Sequence, residues 1–128
     1  MSDRKRILHV EDDFSLQRLV RASLERLGGY AVCTAATGHQ AVELARDFSP
    51  DLLLLDLDLP GLDGAATFRA LREVQGLGAV PAVFLTAASE PGMKNRLLQL
   101  GATSVLGKPF RPSELVRTVQ VALETAAQ

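Results

Sequence analysis

Short apolar runs alternate along this chain with longer segments in which apolar residues recur every three or four positions. Apolar runs of strand length, bounded by charged residues, Gly or Pro, predict buried β-strands. Their nearly continuous apolar character is typical of strands covered on both faces of a parallel sheet. Five runs have this form: 6–10, 30–36, 51–56, 81–87 and 103–107.

A segment with helical periodicity follows each predicted strand. Thr37 is positioned to cap the second of them, whereas Pro91 and Gly92 interrupt the start of the fourth. The first helix ends at Gly28–Gly29, and the others cover 38–48, 65–74, 89–101 and 111–127. The first and last have an apolar face, formed by Leu16, Leu19, Val20, Leu24 and Leu27 in the first and by Leu115, Val116, Val119, Ala122 and Leu123 in the last.

This alternation predicts βαβ units, and therefore an α/β fold with a five-stranded parallel sheet that carries helices on both faces. No internal repeat, low-complexity tract or linker divides the sequence. We expect one domain over residues 1–128, with no effector domain in this chain.

Composition narrows the class of protein. With 47% hydrophobic and 23% charged residues, the chain is typical of a globular protein. A net charge of -1 predicts no direct contact with nucleic acid.

Cys33 is the only cysteine, so no internal disulfide can form, and we expect a small buried thiol. No run has the length of a membrane span, and the N-terminus lacks a secretory signal. We expect a cytoplasmic protein.

Polar residues follow the predicted strands at their carboxyl ends. In open parallel α/β sheets these ends meet at the edge where ligands bind. Three acids follow the first strand, two follow the third, and single residues follow the others: Glu11, Asp12, Asp13, Asp56, Asp58, Thr86 and Lys108. One edge of the sheet is therefore expected to collect several carboxylates, a hydroxyl and an ammonium.

This set of side chains predicts a metal site and a reaction. Carboxylates about 4 Å apart repel each other by about 1 kcal/mol per pair in water, and by more where they are desolvated. Such a cluster raises some of its own pKa values or binds a cation. Oxygen ligands without a nearby His or Cys favour Mg²⁺, which keeps positions open for phosphoryl oxygens. An added lysine and hydroxyl suit phosphoryl transfer.

Four motifs carry a resemblance to a known family: "ILHVEDDFSLQRLV", "LLLLDLDLPGLDG", "VFLTA" and "GATSVLGKPF". They resemble the receiver domains of two-component response regulators, the CheY-like superfamily. The resemblance covers almost the whole chain, and the separations of Asp12, Asp56, Thr86 and Lys108 match that family. It implies a flavodoxin-like fold with strand order 2-1-3-4-5. It also implies phosphorelay signalling between a sensor histidine kinase or histidine phosphotransfer protein and an unknown downstream target or effector domain.

The resemblance also implies a role for each matching residue. Asp56 would be the nucleophile that accepts a phosphoryl group from a phosphohistidine. Asp12 and Asp56 would ligate Mg²⁺, Glu11 would act mainly through a bound water, and Asp58 would offer its backbone carbonyl to the metal. Thr86 would hydrogen-bond a phosphoryl oxygen. Such a domain is not an enzyme beyond catalysing its own phosphorylation and dephosphorylation.

Lys108 would pair with the acceptor or its phosphate, and the Lys108–Pro109 peptide would be cis, which an X-Pro bond allows at modest cost. The choice within the three consecutive acids follows from Leu16. If Leu16 is the first core position of the next helix, Glu11 and Asp12 form the pair and Asp13 leads outward. Asp13 remains an alternative site residue.

One departure from the family concerns how the signal is transmitted. Many receivers carry an aromatic residue three places before the lysine, which turns inward when the threonine moves. Here that position is Val105, which has one stiff torsion and no ring, and an acidic residue often found before it is replaced by Ser104. We expect intact phosphorylation and modified transmission.

The segment "LLLLDLDLP" also resembles the first motif of haloacid-dehalogenase-type phosphatases, in which the first Asp is the nucleophile and the second a general acid. That motif normally lies on the first strand, and a late acidic pair holds the metal. After Lys108 the acids are Glu114 and Glu124, both in the last predicted helix, whereas the early Glu11 and Asp12 fit a receiver.

A third interpretation is a degenerate receiver that acts only as a binding module, which Val105 keeps open. Several other residues have simple structural interpretations. Asp51 and Asp63 suit turns or helix caps. His9 is expected to be a core histidine with satisfied ring nitrogens. Phe14 and Phe110 suit packing or contact with a partner.

Overall fold

The computed structural model describes residues 4–59, 63–87 and 92–126. Within these ranges five strands and five helices alternate. The strands are β1 (Arg6–Val10), β2 (Ala31–Ala35), β3 (Leu52–Asp56), β4 (Ala82–Thr86) and β5 (Ser104–Gly107). The helices are α1 (Phe14–Arg26), α2 (Gly38–Phe48), α3 (Gly64–Arg72), α4 (Met93–Gln99) and α5 (Pro112–Ala126).

The five strands form one parallel sheet in the order β2-β1-β3-β4-β5. This confirms the flavodoxin-like topology. The run of leucines in β3 lies at the centre of the sheet, and each residue of β3 is buried. In register, Asp56 lies opposite Leu85 and Thr86 lies opposite Gly107. The carboxyl ends of β3, β4 and β5 therefore meet at the same edge of the sheet.

Two hydrophobic cores lie on opposite faces of the sheet, because side chains alternate between the faces along each strand. One core packs α2, α3 and α4 against residues such as Leu53, Leu55 and Phe84. The other packs α1 and α5 against Leu52 and Leu54. The inward residues predicted for α5 are all buried or half-buried, which confirms that face. No described helix has both the length and the apolar character that crossing a membrane requires.

Two of the predicted caps are confirmed by side-chain hydrogen bonds. The Thr37 side chain accepts from the backbone N–H of Gln40 at the start of α2. Asp63 caps α3 by accepting from the N–H of Ala66. Asp51 instead accepts from the N–H of Arg6 at 2.8 Å, so this carboxylate ties the start of β3 to β1.

The buried face of α1 differs from the predicted one. Leu19 and Leu27 are exposed, whereas Ser23 is buried on that helix. The Ser23 hydroxyl can be buried because it donates to the carbonyl of Leu19, one turn earlier. Leu19 within α1 and Leu27 at its C-cap are therefore left at the surface.

The third helix ends at Arg72, two residues before its predicted end. The Arg72 guanidinium lies over the Phe68 ring and donates to the carbonyls of Leu77 and Val80. These bonds give the two backbone carbonyls after the helix a hydrogen-bond donor, which stabilises a turn in place of further helix. The fourth helix begins at Met93 after Gly92, whose φ is 85°. The rest of its predicted start, including Pro91, lies outside the described residues.

The prediction for His9 was half wrong. Its ring is fully buried in β1 as expected, but neither ring nitrogen has a hydrogen-bond partner among the described residues. Burial, followed by the positive charges of Lys108 and Arg21, lowers the pKa of His9 to about 3. The Cys33 thiol is half-buried rather than buried, and this burial raises its pKa.

Candidate functional site

Three carboxylates converge at the carboxyl ends of β1 and β3. Glu11 and Asp12 follow β1 directly, and Asp56 is the last residue of β3. One oxygen from each of the three lies within 4.8 Å of the others. Glu11 and Asp56 are buried and Asp12 is exposed, so the cluster opens to solvent on the Asp12 side.

Lys108 supplies the positive charge that faces this cluster. Its Nζ lies 3.0 Å from Oδ1 of Asp56 and 3.6 Å from Oε1 of Glu11. Burial alone would lower the pKa of Lys108, but the hydrogen bond to Asp56 and the charges of both carboxylates outweigh it and raise the pKa. Lys108 is therefore protonated in the pocket, and it offsets one of the negative charges.

Glu11 is the carboxylate of the cluster whose pKa is raised by burial. Its Oε2 accepts from the backbone N–H of Asp13 at 3.1 Å, whereas its buried Oε1 lacks a hydrogen-bond partner among the described residues. Burial raises the pKa of Glu11 to about 7; the Asp13 N–H opposes that rise and the charge of Asp56 adds to it. A buried carboxylate oxygen without a donor is satisfied by a proton or by a cation.

The donor set fits Mg²⁺. All of the clustered atoms are carboxylate oxygens, which hard divalent cations prefer, and Oε1 of Glu11, one of the three acids, is buried without a hydrogen-bond donor among the described residues. Glu11, Asp12 and Asp56 are the residues that could hold the ion. Their open side toward solvent suits Mg²⁺ because this ion usually keeps several of its waters.

The acceptor candidate is held from several sides. Oδ1 of Asp56 accepts from Lys108 and, at 3.3 Å, from the backbone N–H of Asp58. Gly64, the first residue of α3, lies so close that a β-carbon there would clash with the backbone of Asp56 and Leu57. The Asp58 side chain is exposed, and the use of its carbonyl as a ligand remains a prediction.

Thr86 and Lys108 lie side by side at the ends of the last two strands. The backbone N–H of Lys108 donates to the carbonyl of Thr86 at 2.8 Å, which extends the β4–β5 ladder by one residue. Thr86 is buried at this edge of the sheet. The Lys108–Pro109 peptide is cis, as expected.

Asp13 lies outside the carboxylate cluster. It is the N-cap of α1, and its side chain accepts from the N–H of Leu16 at 2.9 Å. The alternative that placed Asp13 in the site is therefore not favoured by the geometry. Two consecutive acids contribute to the cluster, and the third begins the helix.

Sequence reasoning missed the contribution of Gln17. This half-buried side chain donates from α1 to the backbone carbonyl of Glu11. Gln17 is four residues after Asp13 in a helical segment, but nothing in the sequence indicates that its amide turns back toward the acids.

An apolar groove of about 360 Å³ adjoins the cluster. It is lined by Leu16, Leu19, Ala87, Lys108, Pro109 and Phe110. Phe110 is half-buried against the α1–α5 core, whereas Phe14 is 69% exposed with the Arg18 guanidinium over its ring. Both aromatic residues therefore lie around this edge of the sheet. Lys108 lines the groove and also faces the carboxylate cluster.

The acids that a phosphatase would need late in the chain lie elsewhere. Glu114 accepts from the backbone N–H of Arg111 at the start of α5, and Glu124 pairs with Gln120 on the same helix. The carboxylate cluster among the described residues uses the early pair instead. The geometry therefore does not support the haloacid-dehalogenase interpretation.

Residues 7–120 match the model of the family described as the response regulator receiver domain. The chain is 37% identical over 123 residues to the transcriptional regulatory protein ResD of Bacillus subtilis, covering 96% of this chain and 50% of ResD. It is 41% identical over 120 residues to the DNA-binding response regulator MtrA of Mycobacterium tuberculosis, covering 94% of this chain and 51% of MtrA. The chain thus spans about half the length of these curated relatives.

Solved structures agree with this assignment. The chemotaxis protein CheY4 of Vibrio cholerae superposes with a TM-score of 0.86 at 31% identity, covering 93% of this chain and 98% of CheY4. The receiver domain of the sensor histidine kinase PA1611 of Pseudomonas aeruginosa, solved with a magnesium ion in its active site cleft, gives a TM-score of 0.84 at 37% identity, covering 94% of this chain and 98% of that domain. From its sequence, its topology and these likenesses, the chain belongs to the family of response regulator receiver domains.

Proposed function

We propose that Asp56 is the residue of this receiver domain that accepts a phosphoryl group from a phosphohistidine, in a reaction that requires Mg²⁺. The observation that carries the proposal is the convergence of Lys108, Glu11 and Asp12 on the Asp56 carboxylate from separate parts of the chain. The histidine belongs to a sensor histidine kinase or a histidine phosphotransfer protein. Receiver domains are not enzymes in the ordinary sense, and this one would catalyse only its own phosphorylation and dephosphorylation.

The chemistry follows from the charges around Asp56. A carboxylate oxygen of Asp56 forms a bond to phosphorus while the N–P bond of the phosphohistidine breaks, and the released imidazole keeps the electron pair. Held by Asp12 and Asp56, with Glu11 acting through a water and Asp58 through its carbonyl, Mg²⁺ would offset charge on the phosphoryl oxygens. Lys108 offsets charge from the other side.

Activation is a response to the new charge on Asp56. Phosphorylation exchanges one negative charge for about two and adds three acceptor oxygens. The Thr86 hydroxyl donates a hydrogen bond to one of these oxygens, which draws the end of β4 toward the site. The result is a shift in population between two arrangements of the end of β4. The shift alters contacts with a partner protein.

At β5 we expect the transmission of the phosphorylation signal to differ from that in receivers with an aromatic residue at the position of Val105. Val105 is half-buried opposite Phe84 and packs against the core beneath α2, α3 and α4. That core contains the edge-to-face pair of Phe68 and Phe84, whose ring centroids lie 5.6 Å apart. Valine has no aromatic ring that could turn into the core. We therefore expect the backbone of β4 and β5 to transmit the movement of Thr86.

We assign the apolar groove beside Lys108 to the protein that donates the phosphoryl group. Lys108 lines the groove and also pairs with Asp56, so a donor seated in the groove brings its phosphohistidine to the edge of the acceptor pocket. Exposed Leu19 is the apolar side chain of α1 best placed for this contact.

The downstream output of the phosphorylated domain is a contact with another protein or domain. DNA binding is part of the name of MtrA, about half of whose length this chain spans. We propose that residues 1–128 form one cytoplasmic receiver domain that acts through protein contacts and does not itself bind nucleic acid. A DNA-binding output would belong to a separate domain or partner.

The test of this function is the mass of the protein after incubation with acetyl phosphate. We expect the chain to gain one phosphoryl group when Mg²⁺ is present and none after chelation. Asp56→Asn should abolish the gain. Asp63→Asn is the matched control, because asparagine can still cap α3 and the gain should persist.

The other outcomes separate the alternatives. A gain that persists in Asp56→Asn would show that another residue is the acceptor. Rapid turnover of many phosphate esters would support the phosphatase. No gain under any condition, with Mg²⁺ present, would support the degenerate binding module.

A further inference from the structure

Gln17 makes two hydrogen bonds to the short segment between β1 and α1. Its side-chain Nε2 donates to the backbone carbonyl of Glu11, and its backbone N–H donates to the carbonyl of Asp13 at 2.9 Å. These two bonds lie on either side of Asp12, the exposed carboxylate of the cluster. The second bond is the ordinary i→i−4 backbone bond at the start of α1, so the contact that depends on glutamine is the side-chain bond to Glu11, next to a predicted metal ligand.

The bond to Glu11 fixes one particular peptide group. The carbonyl of Glu11 and the N–H of Asp12 belong to the same planar unit, so holding the oxygen holds the orientation of that plane. The torsions on either side of the plane are ψ of Glu11 and φ of Asp12. These torsions help to set the directions of both side chains. A single amide thus acts on both carboxylates of the acid pair.

The other contacts of Glu11 do not replace this bond. Its backbone N–H donates to the carbonyl of Ala35 at 2.9 Å, which continues the β1–β2 ladder but leaves the next peptide free to rotate. Its Oε2 is taken by the N–H of Asp13, which leaves Oε1 facing Lys108. Glu11 is buried, so loss of the Gln17 amide would leave its carbonyl oxygen without that donor.

We propose that Gln17 is a positioning residue of the magnesium site, which presets the carboxylates of Glu11 and Asp12 through the peptide between them. The proposal rests on the proposed function for the identity of the ion. Residues that orient metal ligands change metal affinity when they are removed, because the ion must then order the ligands itself. Gln17 is not one of the clustered residues and acts through the Glu11 carbonyl, so its expected effect is on affinity for Mg²⁺.

The test compares Gln17→Met with Gln40→Met in the full chain. Methionine matches glutamine in length but cannot donate. Gln40 is the matched control because its Oε1 accepts from the N–H of Ala36 at 2.7 Å in the neighbouring β2–α2 loop. Titration with MgCl₂, followed by amide chemical shifts, should show roughly tenfold weaker Mg²⁺ binding for Gln17→Met. Gln40→Met should bind as the unmodified chain does.

A second readout separates positioning from general damage. With acetyl phosphate as donor, the phosphorylation rate of Gln17→Met should be reduced at low Mg²⁺ and equal to that of the unmodified chain at saturating Mg²⁺. Gln17→Ala should give the same split, and it serves if the methionine variant does not unfold cooperatively.

Two results would overturn the proposal. One is an Mg²⁺ affinity for Gln17→Met equal to that of Gln40→Met, and the other is a lower rate at saturating Mg²⁺ with unchanged affinity. An unmodified chain that binds Mg²⁺ but gains no phosphoryl group would refute the proposed function alone, since the titration still decides the role of Gln17. An unmodified chain that binds no Mg²⁺ would refute both.

Discussion

The ammonium of Lys108 lies 3.0 Å from Oδ1 of Asp56, although 52 residues separate the two along the chain. The contact arises because β3 and β5 flank β4 in a parallel sheet, so that their carboxyl ends meet at one edge. The same ammonium lies 3.6 Å from Glu11 at the end of β1. Lys108 thus offsets the negative charge of two buried carboxylates, so its removal is expected to lower the stability of the fold.

The first prediction concerns Lys108→Met. Without Mg²⁺ at pH 8, we expect the free energy of unfolding to fall by about 2 kcal/mol, because Asp56 and Glu11 are left buried without a cation. The loss is smaller than for a fully buried pair because the Lys108 side chain is 22% exposed and the carboxylates can take up protons. Urea denaturation followed by circular dichroism measures this.

Lys94→Met is the control for that measurement, since Lys94 is an exposed residue of α4. Asp56→Asn in the Lys108→Met background should recover part of the lost stability, because it removes one of the unpaired charges. Equal stability of Lys108→Met and the unmodified chain would show that the ion pair contributes nothing to folding.

The second prediction distinguishes the consecutive acids. Asp12→Asn removes a carboxylate of the cluster, and we expect at least roughly tenfold weaker Mg²⁺ binding. Asp13→Asn keeps a side-chain oxygen for the N–H of Leu16 and should leave Mg²⁺ binding unchanged. Titration with MgCl₂ measures both.

Asp13→Ala completes the set. Loss of the cap on α1 should cost about 1 kcal/mol of stability without a matching loss of Mg²⁺ affinity once the variant is folded. If Asp13→Asn weakened Mg²⁺ binding as much as Asp12→Asn does, the acid pair would have been assigned one residue too early.

The parts of the site that the sequence predicts are those set by the ends of strands. An apolar run fixes where a strand ends, and a parallel sheet brings such ends together, so Asp56, Thr86 and Lys108 could be placed at one edge in advance. The family resemblance supplied their order and roles. The pairing of Glu11 with Asp12 needed the position of Leu16, because three acids in succession leave the register ambiguous.

What the sequence does not predict depends on contacts between side chains of different elements. The amide of Gln17 could point to solvent as readily as to the Glu11 carbonyl, and only the packing of α1 decides. Ser23 is buried on α1 while Leu19 is exposed, and the Ser23 hydroxyl can be buried because it bonds to its own helix. The unpaired ring of His9 depends on neighbours in two other strands.

The third prediction uses that ring. The pKa of His9 is lowered to about 3 in the folded protein, whereas in an unfolded chain it lies near its ordinary value of 6.5. The unfolded state therefore binds the extra proton as pH falls from 6.5 toward 3. Protonation of His9 therefore leaves the free energy of unfolding unchanged above pH 6.5 and lowers it between pH 6.5 and about 3, by roughly 1.4 kcal/mol per pH unit.

His9→Leu should remove this dependence, so its free energy of unfolding should fall less steeply between pH 6.5 and the acid transition. Its stability at pH 7.5 should be similar or higher, because two buried nitrogens without partners are removed. His39→Gln, at an exposed position of α2, is the control and should retain the steep profile. Parallel profiles for His9→Leu and the unmodified chain would mean that His9 is not held neutral.

The last prediction tests the groove with Leu19 of α1 and with Leu27, the C-cap residue of that helix. Leu19 lines the groove and is 44% exposed, whereas Leu27 lies outside it at the end of α1 and is 63% exposed. Leu19→Asp introduces a charge that an apolar partner surface must desolvate. We expect at least tenfold slower phosphorylation by a phosphorylated histidine phosphotransfer domain that serves the unmodified chain, which corresponds to about 1.4 kcal/mol.

Leu27→Asp adds the same charge to α1 and should leave that transfer unchanged. The rate with acetyl phosphate should be the same for both variants and the unmodified chain, because a small donor does not use the groove. Slowing of both donors by Leu19→Asp would indicate damage to the pocket through Lys108. Slowing of neither would place the donor elsewhere on the domain, since the groove would then contribute nothing to its recognition.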